Sequence, residues 1–301
     1  MSLASWDGLL QALGAPAPQV DLPQLLRWEL MLVSDAPPRP PAKFKVRERI
    51  YQWANIPAKK RELELHRRVA RLVEASEGTL FHSGFGLLDD VKRILRSPRL
   101  FDVVSLNVDL TLERLLLNKA SLIPAPEARP LPIDRFRRLP RIGMTPLRVW
   151  HPHGDRLALN SMAFGLHRYS KLVRVVEEAR RRMKADEKHR NSPGAAVVKA
   201  SDGGLVDLLT QHPIIFAGTS LNQSEWDLWL MLVGRWRNFA KHANRRSEEP
   251  CWILTVPGQH QTLPELRIGR LEGRNWNEAW HFLADVLSPR RTRSASGGQR
   301  S

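Results

Sequence analysis

Short β-branched and apolar runs, Val103-Val104-Ser105-Leu106, Leu147-Arg148-Val149-Trp150 and Pro213-Ile214-Ile215-Phe216-Ala217, recur along the chain, each followed by polar residues and then by apolar positions at helical spacing. A strand that leads into a helix is the βα unit of a parallel sheet, because parallel neighbours can be joined only by a crossover connection. The pattern predicts an α/β fold.

The first run leads through Asn107-Val108-Asp109 into a helix through Leu110, Leu112, Leu115 and Leu117, with Asp109 as its N-cap. A Pro- and Arg-rich connector from Pro124 to Pro146 lacks periodicity and reads as a surface loop. The second run ends in His151-Pro152-His153-Gly154-Asp155, before a helix marked by Leu166, Tyr169, Leu172, Val173 and Val176. Residues 184–204 read as another exposed loop. The third run passes through Gly218-Thr219-Ser220-Leu221-Asn222-Gln223 into a helix over Ser224–Phe239, where Ser224 and Asp227 have capping-box spacing. Its Trp226, Trp229, Leu230, Val233, Trp236 and Phe239 read as core. Trp252–Val256 reads as a strand and Trp276–Leu287 as a helix.

Residues 1–75 read as helical, with Trp6, Leu9, Leu10 and Leu13 on one stripe, Leu22–Leu32 as a second helix and Ile50–Leu72 as a third region. The Pro37-Pro38-Arg39-Pro40-Pro41 break divides them. The expected organisation is one domain over 1–287, helical to about residue 98 and βα thereafter, with a basic disordered tail at 288–301.

No apolar run reaches the roughly 18 to 20 residues that span a bilayer, and no signal-peptide pattern opens the chain, so a cytoplasmic protein without a membrane partner is expected. Cys251 is the only cysteine, which excludes an internal disulfide and a four-thiolate zinc module. The net charge of +16 suits an anionic partner: nucleic acid, an anionic surface or a phosphate-bearing ligand. No nucleic-acid reader motif accompanies it, and self-association or a partner protein is left open. Arg137, Arg138 and Arg141, then Arg180, Arg181, Arg182 and Lys184, read as solvated faces, and Arg290, Arg291, Arg293 and Arg300 as a basic tail.

In an open parallel sheet, ligands bind at the carboxyl ends of the strands. Gly218-Thr219-Ser220 before a helix offers backbone amides, hydroxyls and a positive dipole end to a phosphate or ribose; the alternative is a tight turn. Asn107 carries a donor and an acceptor in one uncharged amide, or is an ordinary turn asparagine. His153 can take a proton near neutral pH, or is structural, and His151 competes for the same role.

In order along the chain, Ser105-Leu106-Asn107-Val108-Asp109, His153-Gly154 and Ala217-Gly218-Thr219-Ser220-Leu221 resemble the Asn-x-Asp, His-Gly and Gly-Thr-Ser-Leu motifs of the sirtuin family. The resemblance covers about residues 100–260. It implies a Rossmann-like parallel sheet with flanking helices and NAD as substrate. Without the cysteines of the deacylase zinc module, it implies the metal-free branch that hydrolyses NAD in bacterial defence against phage. Asn107 would then position the nicotinamide ribose or a water, Asp109 would support that loop, and His153 would act as general base. Gly218, Thr219 and Ser220, with Asn222 beside them, would face the adenosine and pyrophosphate. The family opens with a strand and a Gly-Ala-Gly-x-Ser loop, whereas Ser2-Leu3-Ala4-Ser5-Trp6-Asp7-Gly8-Leu9-Leu10 resembles the segment after that loop. The expectation is a sequence that starts late or a protein that has lost its first strand, in which case the site would bind a nucleotide, ADP-ribose derivative or partner without cleaving NAD.

Overall fold

The computed structural model describes residues 60, 62–77, 86–117, 123–129, 131–163, 165–190, 204–217, 226–241, 251–258 and 268–288. The helices expected before residue 50, the 218–225 loop and the tail beyond residue 288 lie outside the described residues.

Residues 62–77 form helix α1. There follow α2 (Gly86–Leu95), β1 (Asp102–Val104), α3 (Thr111–Leu117), β2 (Phe136–Arg141), β3 (Met144–Trp150), α4 (Gly165–Arg190), α5 (Leu205–Gln211), β4 (Ile214–Phe216), α6 (Trp226–Lys241), β5 (Cys251–Thr255), β6 (Ile268–Glu272) and α7 (Trp276–Leu287). The strands make two three-stranded sheets, β1-β3-β2 and β4-β5-β6. In the first, β1 runs parallel to β3 and β2 antiparallel to it; the second is parallel throughout.

Alternation along the strands puts helices on both faces. Phe136, Trp150, Phe216 and Ile253 pack with Tyr169, Leu172 and Val176 of α4, Leu205 and Leu209 of α5, and Leu228, Met231 and Leu232 of α6. On the opposite face Leu139, Leu147 and Val149 meet Leu95, Leu115 and Leu116, while Leu254 meets Ile94, Ala279, Leu283 and Ala284. The cluster under α4, α5 and α6 draws on both sheets, so the chain is a mixed α/β protein with one shared core.

The connector read as a loop carries β2, which forms a hairpin with β3 through Ile142-Gly143, where Gly143 has a φ of 68° that few other residues adopt. Pro140 falls on the edge strand at the register shift between Leu139 and Arg141, where a missing N–H breaks no continuous ladder. The segment 184–204 also differs from expectation, since α4 runs on to Arg190 and α5 begins at Leu205. On α6 the buried apolar stripe is Leu228, Met231 and Leu232; Trp229 is only half-buried and Trp236 is 44% exposed. Helix α7 has the bounds expected, because Asn275 caps it by accepting the Glu278 N–H at 3.0 Å.

Candidate functional site at the ends of β1 and β3

Because β1 and β3 are adjacent and parallel, their carboxyl ends bring the residues after Val104 beside those after Trp150. The Ser105 N–H donates to the Trp150 carbonyl at 2.9 Å, which extends the pairing one step past the strand. From there the chain turns away, so Asn107 is exposed, and Asp109 accepts the Thr111 N–H at 3.0 Å at the start of α3. Leu110 holds the cap position expected for Asp109, since its carbonyl takes the first intrahelical bond, and Asp109 lies one residue earlier.

His151 and His153 leave β3 on alternate positions, and consecutive carbonyls of the β1 end receive them. His151 Nδ1 lies 3.1 Å from the Asn107 carbonyl oxygen, and His153 Nδ1 lies 3.1 Å from that of Leu106. The Nε2 atoms point to buried carboxylates on different helices: Glu113 Oε1 of α3 at 2.7 Å for His151, and Asp227 Oδ2 of α6 at 2.9 Å for His153. Glu113 and Asp227 are both fully buried.

Asp227 is therefore the central residue of the site, in a different role from the capping box expected of it. Its Oδ1 accepts the Tyr169 hydroxyl of α4 at 2.5 Å, and Tyr169 in turn accepts the Asp227 N–H at 3.2 Å. The Tyr169 ring stands edge-on to His153 with centroids 6.0 Å apart. Burial alone would raise the Asp227 carboxyl, but the His153 charge and the hydrogen bonds from His153 and Tyr169 hold it below the usual carboxylate range. Burial would likewise lower His151, yet the Glu113 hydrogen bond and charge and the Asn107 carbonyl raise it overall.

The loop between the histidines and α4 is shaped by Gly154. Its φ is 83°, and a Cβ there would lie 2.3 Å from the Ser161 backbone, so a glycine is required. The Ala163 N–H returns to the His153 carbonyl at 2.9 Å and closes the loop.

Arg137 and Arg141, read as solvated, are buried. Arg137 reaches Asp155 Oδ2 at 2.9 Å and approaches Glu113 at 4.0 Å, while Arg141 donates to the Ser97 carbonyl at 2.7 Å. Arg156 spans Glu77 of α1 at 2.9 and 3.0 Å, and Arg114 also pairs with Glu77 at 2.9 Å. Arg181 and Arg182 do remain largely solvated on α4, beside Glu177 and Glu178.

Of the residues expected in the site, Asn107, Asp109 and His153 come together at one edge, whereas Gly218, Thr219, Ser220 and Asn222 lie outside the described residues. A cavity of about 60 Å³ beside them is lined by Arg137, His151, Gly154 and Asp155. A groove of about 630 Å³ follows α4 past Arg168, Lys171 and Arg174. Neither is lined by Asn107, Asp109 or His153. Among the described residues no group of three or more His, Cys, Asp or Glu side chains is arranged to hold a metal, and no helix is long and apolar enough to cross a membrane. Glu113 was not singled out in the sequence, while Tyr169 was read as an apolar helix position and Asp227 as part of a capping box.

No family model matches the chain, and neither a curated protein nor a solved structure matches it.

Proposed function

We propose that this chain is a Rossmann-like nucleotide-binding protein that takes NAD at the ends of β1, β3 and β4 and hydrolyses the bond between nicotinamide and ribose. The observation that carries the reading is the meeting of Asn107 and His153, 46 positions apart, on one edge of two adjacent parallel strands. The exposed Asn107 amide can hold a ribose hydroxyl or a water without charge. His153, once its Nε2 is deprotonated, supplies the base, and water captures the ribosyl centre to give nicotinamide, ADP-ribose and a proton. The reading needs no metal. A bacterial defence role belongs to the same family resemblance.

A second reading, binding of NAD or ADP-ribose without cleavage, is favoured by one specific feature. Both ring nitrogens of His153 face acceptors, Leu106 O and Asp227 Oδ2, so no lone pair is open to a substrate in this geometry.

Purified protein incubated with NAD is expected to release nicotinamide, and His153→Ala and Asn107→Ala to lower the rate by about 10²-fold or more, the scale of a lost general base or positioning group. Calorimetric titration with ADP-ribose separates the readings. Binding without release selects the second, and neither binding nor release sinks both.

A further inference from the structure

The geometry points to Asp227 as a positioning residue that holds His153 in its doubly protonated form, so that nicotinamide release by the native protein is slow near neutral pH and quickens when the Asp227 charge is withdrawn. This inference rests on the hydrolase reading for its catalytic consequence, though not for the lock itself.

The argument starts from donors and acceptors. A carbonyl oxygen can only accept, so the Leu106 contact requires a proton on His153 Nδ1. An ionised carboxylate can also only accept, so the Asp227 contact requires a second proton on Nε2. The ring is then an imidazolium, 8% exposed, against a fully buried carboxylate. Removing the Nε2 proton would leave a nitrogen lone pair facing a carboxylate oxygen at 2.9 Å in a poorly solvated place, which opposes deprotonation. While the ring holds both protons it cannot accept another.

Among the described residues, the other charged groups nearby have partners of their own. From α3, Glu113 is turned to His151; from β2, Arg137 pairs with Asp155 of the same loop; from α1, Glu77 pairs with Arg156. From α4 comes the Tyr169 hydroxyl, which donates to the other oxygen of Asp227 and moderates its charge. Among the described residues, Asp227 is thus the carboxylate that faces the His153 Nε2 proton. Because it is the second residue of α6, a displacement of that helix start would release the ring.

Asp227→Asn tests this with little disturbance. The amide oxygen can still accept from Tyr169, while the amide N–H can donate to a neutral Nε2, so the packing survives and the neutral ring becomes the favoured partner. Tyr169→Phe acts in the opposite sense, since losing a donor leaves more negative charge on Asp227 for the imidazolium.

The experiment follows the His153 ring by heteronuclear NMR through a pH titration, alongside nicotinamide release across the same range, with circular dichroism to confirm folding. Asp227→Asn is expected to move the His153 midpoint down by roughly one unit or more, a tenfold loss of proton affinity, and to shift the pH–rate profile to lower pH by a similar amount. Tyr169→Phe is expected to move the midpoint upward by less. A folded Asp227→Asn with an unchanged midpoint overturns the lock. If that variant does not fold, a Tyr169→Phe midpoint that stays or falls overturns it instead. Shifted midpoints with no nicotinamide released by any variant would leave the lock standing and bring down the hydrolase reading alone.

Discussion

Around the mixed sheet, Glu77, Glu113, Arg137, Arg141, Asp155 and Arg156 are all buried, whereas the parallel sheet β4-β5-β6 rests on Ile253, Leu254, Ala279, Leu283 and Ala284. The two regions do different work. Apolar burial is non-directional and favours whatever arrangement removes most area from water, at about 25 cal/mol per Å². Buried ion pairs nearly break even against desolvation, yet their geometry is exacting. The apolar clusters, which draw on both sheets, therefore supply cohesion, and the buried ion pairs around the mixed sheet fix the position of the strand ends that carry Asn107, His151 and His153.

The largest effect expected from this contrast comes at Glu77. Glu77→Ala leaves Arg156 and Arg114 without their shared carboxylate and the buried Leu110 N–H without its acceptor, for a loss of about 3 to 5 kcal/mol in urea denaturation. Leu254→Ala, which opens a cavity beneath α7, is expected to cost about 2 to 4 kcal/mol. The sharper distinction is positional: Glu77→Ala should disturb the His151 and His153 resonances and Leu254→Ala should not. The reverse pattern would break the division of labour.

A smaller effect follows from pH. Asp227 is depressed in the folded state, so its contribution is present above its unfolded value of about 3.9 and is lost as pH falls through the lower folded value. His151 is raised, so its contribution is complete below about 6.5 and is lost as pH rises through the higher folded value. Calorimetry should find Tm highest between about pH 4 and 6.5, with a decline on each side. The smallest effect is at Arg182 on α4, half-exposed beside Glu178, where Arg182→Ala should change stability by no more than about 0.5 kcal/mol.

Much of the βα framework was legible before any coordinates. The run at Val103-Val104 became β1, Leu147–Trp150 lies within β3, Ile214–Phe216 became β4, and α7 matches its expected residues because its cap and its apolar spacing are both local. The hairpin strand β2 was hidden, since Arg137 and Arg141 look like surface residues until their guanidinium groups are seen to reach Asp155 and the Ser97 carbonyl. Strand β6 was missed for a related reason: Ile268-Gly269-Arg270-Leu271-Glu272 has too little apolar content, and it is held by pairing with β5.

At the site the division is the same. The order of Asn107 and His153 after β-branched runs was sufficient to put both at strand ends, because strand and helix tendencies act over a few neighbouring residues. Sequence by itself also settled that one cysteine cannot build a thiolate zinc module. That His153 meets Asp227, 74 positions away, and that Tyr169 steadies the same carboxylate, was decided only when α4 and α6 packed on one face of the sheets. A hydrogen bond acts over about 3 Å, and residues far apart in sequence reach that range only through the packing of the helices that carry them.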